Sequence, residues 1–376
     1  MSPTTIESLL LERTAALARD QVAPQAARWE HERRIGHEAL AAAVEIGLTR
    51  LQVPVAFGGL DLSFGCKARV AELLAGADFG FTMSLINTQN VAALLARKAK
   101  PEVAARYLPD LIAARRLGCT ALTEPGAGSD FSAITTLATR CNSGWRISGA
   151  KAWITNAAQA DVVVLYAQTE PGAGARGIAG FVIDGRREGF ERDPAYALGG
   201  QHTIGTGGFR LDGYLAHDDE LLYPPGAAFK AAMASINGAR TYIAAMCCGM
   251  VGEALRVASV YGEQRRSFGR ALAEHQGWRW RLAEAASELA ACRLMVALAA
   301  GQIDAGQDAQ LAAAQAKLLA TRLAERQIPA LAQAMGAEGL REHHPFARHA
   351  MGARVAGFVD GSTEMLLERI SSVIRP

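Results

Sequence analysis

Paired cysteine motifs, long apolar runs and a surplus of charge of either sign are all missing from this sequence. Its 376 residues carry 39 Lys and Arg against 37 Asp and Glu, a net charge of +2. No field for nucleic acid or a membrane surface is expected from that balance. The longest apolar stretch, around 242–251, is about half of the ~20 residues that cross a bilayer, so no membrane span is expected. Six cysteines, with Cys247 and Cys248 adjacent, make neither a disulfide framework nor a CxxC metal pattern. The opening MSPTTIESLLLER has early acids and no basic region leading into an apolar one, which argues against a secretory signal. GxxxxGK[ST], HExxH and GxSxG are absent. His343, His344 and His349 cluster without metal-site spacing or carboxylate company, so they read as solvated loop histidines and no metal is expected. What is present is apolar material: half of the residues are apolar and a fifth charged. That excludes a disordered chain and fits two or three domains. A reduced, cytoplasmic enzyme is the expectation.

The texture changes twice along the chain. Residues 1–118 are rich in Ala, Leu, Glu and Arg at helical spacing, with a break at 47–54 and a Gly-Gly loop at 56–60. Pro101 with Glu102 reads as a helix start. Residues 119–223 hold short patterns rich in Val, Ile, Gly and aromatics, at 145–147, 152–154, 162–166, 178–183 and 209–211. Turn residues lie between them, which predicts a small antiparallel β domain. Residues 224–376 return to long amphipathic helices, with Pro329 as a kink, and predict a helical bundle.

Gly172 to Gly177 matches GxGxxG letter for letter but leads into a strand rather than a helix, so it reads as a hairpin turn. Two other segments carry chemistry. In Leu122-Thr123-Glu124-Pro125-Gly126-Ala127-Gly128-Ser129-Asp130, Pro and two glycines hold an open loop. Its backbone N–H groups and hydroxyls suit a ring carbonyl or a phosphate oxygen, although an ordinary turn has the same composition. In Trp153-Ile154-Thr155-Asn156, a flat ring and a hydroxyl two residues apart share one face of a strand. That suits a planar heterocycle, and equally a half-exposed sheet.

Together these segments resemble the TEPxAGSD loop and WITN strand of the acyl-CoA dehydrogenase flavoproteins. The resemblance continues through Tyr261-Gly262-Glu263-Gln264-Arg265-Arg266-Ser267-Phe268-Gly269, followed by His275-Gln276, and through Gln333-Ala334-Met335-Gly336-Ala337. It ends at Asp360-Gly361-Ser362-Thr363-Glu364 and covers nearly the whole chain. It implies an α+β fold of that family: an N-terminal helical domain (1–118), a central small antiparallel β domain (119–223) and a C-terminal four-helix bundle (224–376). FAD would lie between the β domain and the bundle, across a subunit interface of a homodimer or homotetramer. The residues implied for FAD are Leu122, Thr123, Gly128, Ser129, Trp153, Ile154, Thr155, Arg265, Ser267, Phe268, His275, Gln276, Gln333, Gly336, Ala337, Ser362, Thr363 and Glu364. Ser129, Asn237, Arg240 and Gly361 are implied for substrate. The implied reaction is desaturation of an acyl thioester: Asp360 takes the α-proton, a β-hydride passes to flavin N5, and an electron-transfer flavoprotein or oxygen accepts the electrons.

The sequence departs from the family pattern at several places. Asp360 stands where most members have Glu, and the alternative base position before Arg240 is Ala239. Ala337 replaces a glycine, Met351-Gly352 replaces an Arg-Asp pair, and Asn237 replaces a frequent acid. Acyl-CoA is the first substrate reading. An acyl-carrier-protein thioester of secondary metabolism is the second, since Asp360-Gly361-Ser362-Thr363-Glu364 resembles the EGSSE loop of one such relative. A flavin oxidase or monooxygenase and a scaffold without chemistry are the remaining alternatives.

Overall fold

The computed structural model describes residues 3–374. Six helices open the chain: α1 (Pro3–Leu17), α2 (Ala26–Glu32), α3 (His37–Ile46), α4 (Phe64–Ala77), α5 (Phe79–Lys98) and α6 (Pro101–Ile112). Their ends follow local chemistry. Ser63 Oγ accepts from Cys66 N at the start of α4, and buried Asp78 accepts from Phe81 N at 2.6 Å at the start of α5. Gly47 closes α3 in the left-handed conformation, and Pro101 opens α6 as its sequence predicts.

Eight strands follow: β1 (Leu117–Ala121), β2 (Leu137–Cys141), β3 (Gly144–Ile154), β4 (Ala160–Gln168), β5 (Ile178–Asp184), β6 (Phe190–Arg192), β7 (Gly207–Ala216) and β8 (Leu221–Tyr223). They form one sheet in the order β6-β7-β3-β2-β4-β5-β8, with β1 also on β4. The antiparallel expectation holds along most of it, but β1 runs parallel to β4, Gly118 opposite Val162. The Gly172–Gly177 segment joins the antiparallel pair β4 and β5 through one 3-10 turn (Gly174–Gly177) and leads into β5, not into an α-helix.

The rest of the chain is α7 (Ala228–Gln264), a short hairpin of β9 (Arg266–Ser267) and β10 (Arg270–Ala271), α8 (Gln276–Asp304), α9 (Gln310–Ala334), α10 (Phe346–Phe358) and α11 (Thr363–Ile374). Helices α7 to α10 make the bundle, with α11 laid on α9. Helix α9 runs on through Pro329. Helix α7 is long and apolar enough to cross a membrane, which the sequence reading of a short apolar run missed. Most of that stretch is buried against its neighbours, as in the core helix of a bundle.

Helix α5 ties the molecule together. Its Phe81 and Leu85 pack with the sheet, Phe79, Met83 and Ile86 with the bundle, and Val91 and Leu95 with α6. Each such side chain contributes about 1.5–3 kcal/mol on burial. Helices α4 and α7 approach until their backbones touch: a Cβ on Gly249 would stand 2.0 Å from the carbonyl oxygen of Glu72. That close approach fixes the bundle, through α7, against the N-terminal helices.

Candidate active site

The open loop after β1 is built on a buried ion pair. Glu124 accepts from Lys151 Nζ at 2.8 Å, from the Thr135 N–H and hydroxyl at 2.6 and 2.8 Å, and from the Thr136 N–H at 2.9 Å. Lys151 also donates to the Leu122 carbonyl at 2.9 Å, and the Ala152 N–H donates to the Thr123 carbonyl at 3.1 Å. Burial works to raise the Glu124 pKa, yet Lys151 and the other donors bring it down to about 2. Burial pushes Lys151 down to about 8, against the pull of Glu124. With its base fixed, the loop presents Gly128 and Ser129 to solvent, while Leu122 and Thr123 stay half-buried.

The second motif departs from the straight-strand reading. Strand β3 ends at Ile154, and its pairing with β7 shifts register between Lys151 and Ile154. Trp153 has φ +60°, so its ring turns outward, 62 % exposed and edge-on to Tyr196 at 4.9 Å. Ile154 is buried, and half-buried Thr155 falls in the turn beyond the strand. Trp153 and Thr155 therefore do not share one face of a regular strand; a left-handed residue breaks the alternation. Asn156, also left-handed and fully buried, donates to the carbonyls of Ser84 and Gly118 at 3.0 Å each. It locks the turn to α5 and β1.

Asp360 sits in the left-handed conformation between α10 and α11, followed by left-handed Gly361. Cations clamp the backbone around it. Arg240 Nε donates to the Asp360 carbonyl at 3.0 Å, and Lys317 Nζ donates to the carbonyls of Val359 and Gly361. Arg240 also donates to Asn237 Oδ1 at 3.2 Å. Burial raises the Asp360 pKa, with Lys317 and Arg240 pulling the other way. Ser362 accepts from the Met365 N–H at 3.5 Å as the cap of α11, with Thr363 half-buried and Glu364 exposed in its first turn. At Gly352 a Cβ would stand 2.8 Å from Met250 Sδ and 3.3 Å from Phe79 Cβ, so a larger side chain there needs Met250 to move aside.

The remaining predicted residues gather at one end of the bundle. Phe268 and Gly269 both have positive φ in the two-residue turn of the β9–β10 hairpin, and Phe268 is 95 % exposed. Ser267 is half-buried and Arg265 exposed; the Ser267 carbonyl lies 3.1 Å from His275 Nε2, and exposed Gln276 opens α8. Trp278 donates to the Ala334 carbonyl at 3.1 Å and ties this hairpin to exposed Gln333, Gly336 and Ala337 at the end of α9. Among the described residues no hydrogen bond joins this group to the β-domain group.

The histidine reading needs two corrections. His349 is no loop histidine: it is buried in α10 with Nε2 3.0 Å from the Gly76 carbonyl, and burial pushes its pKa down to about 3. His343 and His344 do have carboxylate company, because Glu338 Oε1 lies 3.7 and 3.3 Å from their Nε2 atoms. Arg341 shares that carboxylate at 3.4 Å. All six cysteines are unpaired, as expected. Sequence reasoning gave Asn156 no role within its motif and missed Lys151 and Lys317. A lone lysine among alanines and leucines on α9 was the one available signal for the last.

The geometry suits a flavin. An exposed indole beside hydroxyls and a loop of open backbone can face a planar heteroaromatic ring, and a Cβ on Gly126 would meet nothing within 4 Å. Comparison with known proteins agrees. The family models for the acyl-CoA dehydrogenase N-terminal, middle and C-terminal domains match residues 4–115, 119–214 and 226–374. A glutaryl-CoA dehydrogenase from Desulfococcus multivorans is 30% identical over 92% of this chain and 90% of its own. The butyryl-CoA dehydrogenase structure from Megasphaera elsdenii superposes with a TM-score of 0.94 at 27% identity, covering 100% of this chain and 99% of that one. PigA, solved with FAD and proline, gives 0.93 at 25% identity over 100% and 98%.

Proposed function

The chain belongs to the acyl-CoA dehydrogenase family of FAD-dependent oxidoreductases, and we propose that it desaturates an acyl thioester with Asp360 as the base. The observation that carries this reading is the clamped loop: Arg240 and Lys317 hold three successive carbonyls around one partly buried carboxylate. When bound, FAD would supply the acceptor for the β-hydride. Leu122, Thr123, Gly128, Ser129, Trp153, Ile154 and Thr155 would hold it from the β domain.

The chain's own residues do the rest. Burial raises the pKa of Asp360 and so strengthens it as a base, with Lys317 and Arg240 pulling the other way. Arg240, hydrogen-bonded to main chain and to Asn237, positions the loop instead of neutralising the base. The clamped loop holds the Asp360 carboxylate in place to take the α-proton. Asp is one methylene shorter than Glu, and a misplacement of about 1 Å can cost on the order of a hundredfold in rate. A specialised enzyme fits that better than a housekeeping one. Acyl-CoA is the first reading of the carrier and acyl carrier protein the second; both present the thioester on pantetheine. An electron-transfer flavoprotein or oxygen would reoxidise the cofactor.

A homodimer or homotetramer completes the proposal. Support comes from α8, where Trp280, Leu294 and Leu298 lie on one face and are 61, 73 and 50 % exposed. The predicted FAD residues at the end of the bundle, separate from the β-domain group, would then serve the FAD of a second copy. Anaerobic bleaching of the bound flavin by acyl-CoA or acyl-carrier thioesters tests the reading; flavin that stays oxidised with every thioester contradicts it.

A further inference from the structure

A third lysine is buried beside this site without an anionic partner. Lys67 lies on α4 at helical spacing from Phe64 and Ala71 and is 4 % exposed. Its ammonium donates to Gln52 Oε1 at 2.9 Å and to Asn90 Oδ1 at 2.5 Å. It also stands 5.2 and 5.1 Å from the ring centres of Phe64 and Tyr242. Among the described residues no carboxylate forms an ion pair with it. The other two buried lysines are provided for: Lys151 has Glu124 at 2.8 Å, and Lys317 has two carbonyls beside Asp360. An ammonium has three N–H donors, and only two of these are used by neutral amide oxygens. A buried cation compensated only by neutral groups is costly, and an arriving anion would relieve that cost.

The position of Lys67 says what that anion would belong to. Asn90 on α5 donates from Nδ2 to the Tyr242 hydroxyl at 3.3 Å. Tyr242 is two residues along α7 from Arg240, which holds the Asp360 carbonyl. Burial, and after it the Asp360 charge, raises the Tyr242 pKa, so Lys67, Asn90 and Tyr242 lead from the ammonium towards the proposed base. On the same turn of α5, Gln89 is fully buried with neither side-chain atom hydrogen-bonded. An alkyl tail leaving Asp360 along this run would meet a cation and amides, and would leave them desolvated and unpaired.

We propose that Lys67 recognises the far end of the acyl group, and that the substrates are short acyl thioesters ending in a carboxylate. This rests on the dehydrogenase reading for the placement of the thioester at Asp360. The carboxylate takes the third N–H of Lys67 and keeps that ammonium charged. Unliganded Lys67 is pushed down by burial to about 7. Affinity for the carboxylate therefore falls as pH rises above about 7, whereas affinity for an alkyl chain of equal length does not.

The test uses the FAD-loaded enzyme and matched pantetheine thioesters: succinyl against butyryl, and glutaryl against pentanoyl. Binding is read from the perturbed flavin spectrum, and turnover from anaerobic bleaching. The expected result is at least tenfold tighter binding of one dicarboxylic thioester over its alkyl partner, weakening between pH 6.5 and 8.5. Lys67→Met should abolish that preference and tighten alkyl binding, and Lys67→Arg should keep part of it. Alkyl thioesters bound as well as or better than their partners would overturn the proposal, as would Lys67→Met weakening both classes equally. Should Lys67→Met not hold FAD, the wild-type pH profile decides alone. A carboxylate preference without any bleaching would uphold Lys67 and refute the dehydrogenase reading; bleaching by alkyl thioesters alone would do the reverse.

Discussion

Replacing Lys151 by Met keeps the length and bulk of the side chain and removes only the ammonium. Glu124 then stays 4 % exposed with its cation gone. Breaking a buried pair from one side costs about 3–5 kcal/mol. Here the Thr135 and Thr136 donors at 2.6–2.9 Å remain, so the low end, about 3 kcal/mol, is expected near pH 8. The pH dependence carries the diagnosis. In the wild type the Glu124 pKa is depressed to about 2. Its contribution is therefore present above the ordinary carboxylate range and is lost only as pH falls towards 2. In the variant, burial prevails and the pKa rises above the ordinary value. The cost should then shrink as pH falls from 8 to 5 and Glu124 takes up a proton. The Leu122 carbonyl loses its donor too, so FAD should bind about tenfold more weakly, equivalent to about 1.4 kcal/mol. Urea unfolding at several pH values and flavin titration measure both effects. A cost below about 1 kcal/mol at pH 8, or one unchanged between pH 8 and 5, would refute the argument.

Other outcomes follow from the same structure. FAD in hundredfold excess over its Kd should stabilise the stripped protein by about 2.7 kcal/mol; an unmoved melting temperature would contradict flavin binding to the folded state. Asn156→Leu removes both hydrogen bonds to the Ser84 and Gly118 carbonyls and puts a branched side chain at φ +66°. It should cost roughly 3 kcal/mol in urea unfolding, whereas Asn156→Asp should cost more at pH 8 than at pH 5. Light scattering at micromolar concentration should find a dimer or tetramer; a monomer still holding flavin would remove the second copy from the account.

How far the sequence could be read depends on whether a signal was local. The loop at 122–130 and the helix start at Pro101 are legible because Pro and Gly act on their own backbone. The order helices, sheet, bundle is legible because periodicity is summed over long windows. Lys151 was not legible: its partner Glu124 is 27 residues away on another segment, and an isolated lysine in a strand looks like a solvated one. Trp153 was misplaced because alternation assumes a regular strand, and a left-handed tryptophan leaves no mark in composition. Lys67 and Lys317 each interrupt an otherwise apolar helix face, a signal that helix propensity hides, since lysine is a good helix former. The carboxylate beside His343 and His344 comes from Glu338, brought round by the turn after α9.

The central claim is that Asp360 is the base, and one substitution tests it. Asp360→Asn keeps the side chain's size, and the Arg240 bond to the residue 360 carbonyl is a main-chain contact that the change leaves alone. The variant should stay yellow and should bind the thioester that bleaches the wild type. In anaerobic stopped flow it should bleach at least a thousandfold more slowly, about 4 kcal/mol of lost barrier lowering. Asp360→Glu should bleach at a rate comparable to the wild type or faster. Bleaching of Asp360→Asn at the wild-type rate would mean that Asp360 takes no proton, and would contradict the account.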